Sequence, residues 1–131
     1  MNDVEKFKPK ILLAEDDGAM RRFLEITLQN AGYAVVSAND GLAAMQIALS
    51  EEIFDAVVTD ALMPNLSGHD LCRILRGSEK FRRVPLIILS GLEREIAANS
   101  EHDCAEIYLV KGAQLKDELI EKLPELLAAK K

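Results

Sequence analysis

Short apolar runs recur along this chain with helical patterns between them. The runs fall at residues 11–14 (ILLA), 33–36 (YAVV), 56–58 (AVV), 86–89 (LIIL) and 107–110 (IYLV). They are rich in Val, Ile and Leu and do not alternate with polar residues, as expected of strands buried on both faces of a parallel sheet. In the intervals, Phe23, Leu24, Thr27, Leu28 and Ala31 share one helical face, and Gly32 supplies a stop. Asp40 can cap a second helix carrying Ala44, Ile47 and Ala48. Ser67 or Gly68 opens a third, with Leu71, Ile74 and Leu75 on one side and Gly77 at its end. Residues 93–100 make a weak fourth, burying only Ile96 and Ala97. A fifth carries Leu115, Leu119, Leu123, Leu126 and Leu127, and Pro124 should kink it or start a new turn. Five strands alternating with five helices give a (βα)5 order. Right-handed crossovers then put helices on both faces of one doubly wound parallel α/β sheet.

In such a sheet, ligands sit beyond the carboxyl ends of the strands. After the first predicted strand come Glu15, Asp16 and Asp17, with Asp17 the natural cap of the first helix. The third strand leads to Asp60, the fourth to Ser90 and the fifth to Lys111. Each alone is weak evidence, but their recurrence at corresponding places in a periodic pattern is not. Clustered carboxylates repel unless they share a proton or hold a hard cation. Mg²⁺ takes oxygen ligands and is commonly bound by a few carboxylates, waters and phosphate oxygens. A carboxylate beside it can act as a nucleophile toward phosphorus. Phosphoryl transfer then needs the equatorial oxygens neutralised, which the cation, an ammonium and a hydroxyl donor can do.

Composition narrows the alternatives. With 131 residues, 49% hydrophobic and 29% charged, the chain fits one globular domain that needs no metal or disulfide to fold. Its formal charge of −6 disfavours nucleic acid and anionic membranes as partners. The one basic cluster, Lys80, Arg82 and Arg83, reads as a solvated loop or helix end. No apolar run is long enough to span a bilayer, and the start lacks a signal-peptide stretch. Cys72 and Cys104 lack metal-ligand spacing and read as reduced thiols, so a cytoplasmic location is expected. His69 and His102 read as isolated surface or helix-start histidines.

The stretches ILLAEDD, DAVVTDALMPNLSG, PLIILSG and YLVKG together resemble the receiver domain of two-component response regulators, the chemotaxis regulator among them. The likeness runs over roughly residues 10–127, leaving 1–9 as an extension and 128–131 as a tail. It implies a flavodoxin-like fold with strand order 2-1-3-4-5. It implies Asp60 as phosphoacceptor, with Mg²⁺ held by Asp16, Asp60, the Leu62 main-chain carbonyl and, through a water, Glu15. Ser90 and Lys111 would bind the phosphoryl group, and Tyr108 would follow the rearrangement of the hydroxyl residue. Met63–Pro64 would shape the loop after the acceptor. Leu62 and Leu92 would flank the path of the hydrolytic water, and as leucines cannot orient it, so slow self-dephosphorylation is expected. The implied partners are a histidine kinase or a histidine phosphotransfer protein, then a downstream protein or an output domain removed from this chain. The domain would catalyse only its own phosphorylation and dephosphorylation. The Arg21–Arg22 face of the first helix is either solvated or faces the phosphodonor.

The chain departs from the family in places. Gly112 stands where proline usually follows the lysine in a cis bond, so a trans Lys111–Gly112 bond is expected. Ala113 replaces a large apolar residue, which loosens the loop. The polar residues 99–103 put the usual output face in doubt. These departures favour the alternative of a receiver-shaped interaction module that works without phosphorylation. A haloacid-dehalogenase-type phosphatase would want a second Asp where Leu62 stands, and a flavodoxin's phosphate loop would be repelled by Glu15, Asp16 and Asp17.

Overall fold

A computed structural model describes residues 7–91 and 105–129. The predicted helix at 93–100, the polar residues 99–103, Leu92, His102 and Cys104 lie outside the described residues. Strands β1 (Lys10–Ala14), β2 (Ala34–Ala38), β3 (Ala56–Asp60), β4 (Leu86–Ser90) and β5 (Ile107–Val110) form one parallel sheet in the order β2-β1-β3-β4-β5. The described helices are α1 (Gly18–Asn30), α2 (Gly41–Ala48), α3 (Gly68–Arg76) and α4 (Leu115–Ala129). This is the predicted topology, although β2 runs two residues further along the chain than its apolar run.

The missing alternation now has a cause. On β1, Leu12 and Ala14 pack with Ala44, Ala48, Leu71 and Leu75 of α2 and α3. Ile11 and Leu13 pack on the opposite face with Leu24 and Leu28 of α1 and Leu119 and Leu123 of α4. β3 and β4 are buried at every position, whereas the edge strands β2 and β5 are mostly half-buried. Each fully buried Leu or Ile side chain stabilises the fold by about 1.5–3 kcal/mol relative to exposure, so both faces of the central strands hold the sheet.

The helix starts follow the predicted caps. Asp17, Asp40 and Ser67 accept from the main-chain N–H of Met20, Ala43 and Asp70 at 2.7, 2.7 and 3.1 Å. Gly32 follows α1 at φ +100°, a left-handed conformation that costs glycine nothing. Several helix faces differ from expectation. Phe23, Ala31 and Ile74 are exposed; Cys72, in contrast, is buried as expected. Pro124 does not end α4, which continues to Ala129. It sits on the exposed side, where water can serve the carbonyl freed one turn earlier. Lys80 is not simply solvated, because its ammonium caps the end of α2 at Ala48 O (2.9 Å) and Ser50 O (2.6 Å). Arg82 and Arg83 are exposed as expected.

At the amino-terminal end of the sheet, Arg76 closes α3 onto the chain that leads into β4. Its guanidinium donates to Phe81 O and Val84 O, each at 2.8 Å, and pairs with Glu106 just before β5. Glu106 also accepts from the Leu86 N–H at 2.8 Å, and its own N–H donates to Leu86 O.

Candidate functional site

β1 and β3 are neighbours at the centre of the sheet, so their carboxyl ends place Glu15 and Asp16 beside Asp60. Oxygen atoms from these three carboxylates lie within 4.8 Å of one another. Their surroundings differ sharply: Glu15 is fully buried, Asp60 nearly so, and Asp16 is exposed. The strand ladder brings the other groups to the same end. The Ala61 N–H bonds Leu89 O, and the Lys111 N–H bonds Ser90 O, both at 2.8 Å. Ser90 is buried at the tip of β4.

Lys111 reaches back over the sheet. Its Nζ stands 2.8 Å from Glu15 Oε1 and 3.0 Å from Asp60 Oδ2, so one ammonium bridges two of the three acids. Burial by itself would lower the Lys111 pKa, but bonding to Glu15 and Asp60 and their negative charge outweigh it, and the net shift is upward. The Glu15 carboxyl is held above its ordinary value chiefly by burial. The Lys111 ammonium and the Asp17 N–H pull against that, and the Asp60 charge adds to it. The ion pair to Lys111 is close, but no well-directed hydrogen bond reaches Glu15 Oε1. A buried carboxylate oxygen of this kind, beside two further carboxylates, is an all-oxygen donor set suited to a hard divalent cation such as Mg²⁺.

The loop after Asp60 is fixed by main-chain contacts. A Cβ on Gly68 would lie 2.1 Å from the Asp60 carbonyl oxygen, so only glycine lets the start of α3 sit there. The Gly68 N–H bonds Ala61 O at 2.9 Å, and the Leu62 N–H approaches Asp60 Oδ1 at 3.4 Å. Leu62 itself is 65% exposed. Beyond Pro64, Asn65 takes φ +72° and its side-chain amide donates to Asp40 Oδ2 at 3.2 Å, tying the loop to the start of α2. The Lys111–Gly112 bond is trans.

Three relationships escape a reading of the sequence. Arg21 is half-buried, and its Nη1 donates to the Glu15 carbonyl at 3.0 Å, whereas Arg22 is exposed and pairs with Glu25 at 3.7 Å. His69 is half-buried rather than isolated, with Nδ1 3.3 Å from the Tyr108 hydroxyl. The Asp40–Asn65 tie joins residues far apart in the chain, and its one local hint is that Asn tolerates the left-handed conformation.

The chain matches the response regulator receiver domain family over residues 11–123. It is 36% identical over 123 residues to the response regulator receiver protein CpdR of Brucella abortus, covering 92% of this chain and 98% of that protein. It is 38% identical over 85 residues to the probable transcriptional regulator ycf27 of Guillardia theta, covering 65% of this chain and 32% of that protein. The chain thus spans about a third of the length of the ycf27 relatives it matches. Among solved structures, the receiver domain of the sensor histidine kinase PA1611 of Pseudomonas aeruginosa has a magnesium ion coordinated in its active-site cleft. It superposes with a TM-score of 0.81 at 28% identity, over 93% of this chain and 99% of that one. Among the described residues, no helix is long and apolar enough to cross a membrane. With its acidic cluster at the expected phosphorylation site, the chain belongs to the receiver domains of two-component response regulators.

Proposed function

We propose that residues 10–127 form a phosphorylation switch, with Asp60 taking a phosphoryl group from the phosphohistidine of a histidine kinase or phosphotransfer protein. The observation that carries this reading is the Lys111 ammonium, poised between Asp60 Oδ2 and Glu15 Oε1 in a pocket of three carboxylates. An Asp60 carboxylate oxygen bonds to the donor phosphorus as the phosphorus–nitrogen bond breaks, and the imidazole nitrogen keeps the electron pair. Asp16, Asp60, the Leu62 main-chain carbonyl and, through a water, Glu15 would hold Mg²⁺, which when bound neutralises charge on the phosphoryl oxygens. Lys111, already within reach of the acceptor, pairs with one phosphoryl oxygen, and the Ser90 hydroxyl donates to another. Lys111 thereby loosens its hold on Glu15, the loops after β4 and β5 adjust, and Tyr108 follows. The altered surface acts on a downstream protein or an attached output domain.

Leu62 offers no hydrogen bond to orient a water attacking the phosphoryl group, so self-dephosphorylation is slow. Leu62→Asn should speed phosphoryl loss; an unchanged or slower rate would sink this part of the reading. The central test is incubation with acetyl phosphate. The expected result is a mass gain of one phosphoryl group, abolished by Asp60→Asn or by chelating Mg²⁺. No gain with Mg²⁺ present would instead favour an interaction module that works without phosphorylation, a reading helped by the open segment after Lys111.

A further inference from the structure

We infer that His69 is a positioning residue for Tyr108, holding its phenol against the first turn of α3 and so linking the ring to the acceptor loop. Three contacts carry this. The Tyr108 hydroxyl and His69 Nδ1 are 3.3 Å apart. The two ring centroids are 5.8 Å apart, with the planes tilted by 30°. His69 directly follows Gly68, whose α-carbon is pressed so closely to the Asp60 carbonyl that a methyl group has no room. His69 is thus one residue from a tight main-chain contact with Asp60.

The bond suits a movable ring. It is longer than the usual ~2.9–3.0 Å between nitrogen and oxygen, so it is easily exchanged. Both neutral tautomers of the imidazole allow it, with the phenol donating to Nδ1 in one and accepting from it in the other. Tyr108 also packs with the apolar cluster of α2 and α3. The imidazole adds a directed polar contact to that packing. Only the link to switching rests on the proposed phosphorylation of Asp60; the holding contact does not.

The chain has two tyrosines and no tryptophan, so Tyr33→Phe leaves Tyr108 as its one tyrosine emitter. In that background, acrylamide quenching of Tyr108 is compared for His69, His69→Leu and His69→Gln. Loss of one such hydrogen bond shifts populations by roughly two- to tenfold. Quenching should therefore rise at least twofold in His69→Leu, while Gln, which can still bond the hydroxyl, stays near the parent. On adding Mg²⁺ and beryllofluoride, a phosphoryl mimic, the change in Tyr108 signal should shrink in His69→Leu relative to the parent. Equal quenching in all three proteins overturns the proposal. So does an equal rise in Leu and Gln with a matching loss of thermal stability, the result that packing alone would give. If acetyl phosphate adds no mass to Asp60, the phosphorylation reading falls while the quenching comparison still decides the role of His69.

Discussion

A methyl group added at Gly68 would lie 2.1 Å from the Asp60 carbonyl oxygen, whereas one added at Gly112 would meet nothing within 4 Å. The two glycines mark two ways of building one pocket. Around Asp60, backbone presses on backbone; Gly41 does the same against Leu66 O at 2.0 Å. Beyond Lys111, a cavity of about 470 Å³ opens beside β5 and the start of α4, bordered by Tyr108, Val110, Gly112 and Gln114. The acid side is therefore held by contacts that no side-chain rotation can relax. The lysine side is delivered by a loop with room around it.

The contrast can be tested by substitution. Gly68→Ala should be the most damaging, costing about 3 kcal/mol because the overpacked contact is main chain and cannot swing away; the urea midpoint would report it. A cost below that of Gly112→Ala would end the contrast. Lys111→Ala should cost about 2 kcal/mol, because it leaves Glu15 and Asp60 facing one another without a cation while Lys111 itself is partly solvated. Added Mg²⁺ should recover part of that loss, and thermal melts with and without the ion would show it.

Glu15→Gln should act in the opposite direction. Burial holds the Glu15 carboxyl above its ordinary 4.5, so the folded protein binds that proton more tightly than the unfolded chain does. The resulting stabilisation is full below about pH 4.5 and is lost as pH rises through the folded value. Glutamine is neutral throughout, so the variant should flatten this slope and gain about 1 kcal/mol at neutral pH, while binding Mg²⁺ less well. Denaturation across pH and a Mg²⁺ titration would check both halves. Gly112→Ala should be nearly silent, within about 0.5 kcal/mol.

The central strands were legible because both faces are covered, so composition alone marks them. The edge strand β2 starts one residue and ends two residues later than its apolar run, because half-burial blurs the limits of such a run. Caps were read correctly where one side chain does the work, as at Asp17, Asp40 and Ser67. Helix faces were read less well: Phe23 and Ile74 have the apolar spacing, yet α1 and α3 turn them outward. In the site, Glu15, Asp16, Asp60, Ser90 and Lys111 could be placed together because each follows a strand and parallel strands end on one side. That Glu15 is buried while Asp16 is exposed depends on which way each side chain points, and their adjacency in the chain does not reveal it. The His69–Tyr108 contact and the Lys80 cap join segments that spacing rules do not connect.

The Arg76–Glu106 clamp has a mechanical consequence. It pins β5 at its first residues, at the end of the sheet away from the acids, while at the far end the Lys111 ammonium is tied to Glu15 and Asp60. A strip clamped at its root turns about that root and cannot slide like a piston. Any force the pocket exerts through Lys111 therefore acts on a lever arm of four residues, Ile107–Val110. The largest travel belongs at the tip, beside Gly112, and the smallest at Glu106.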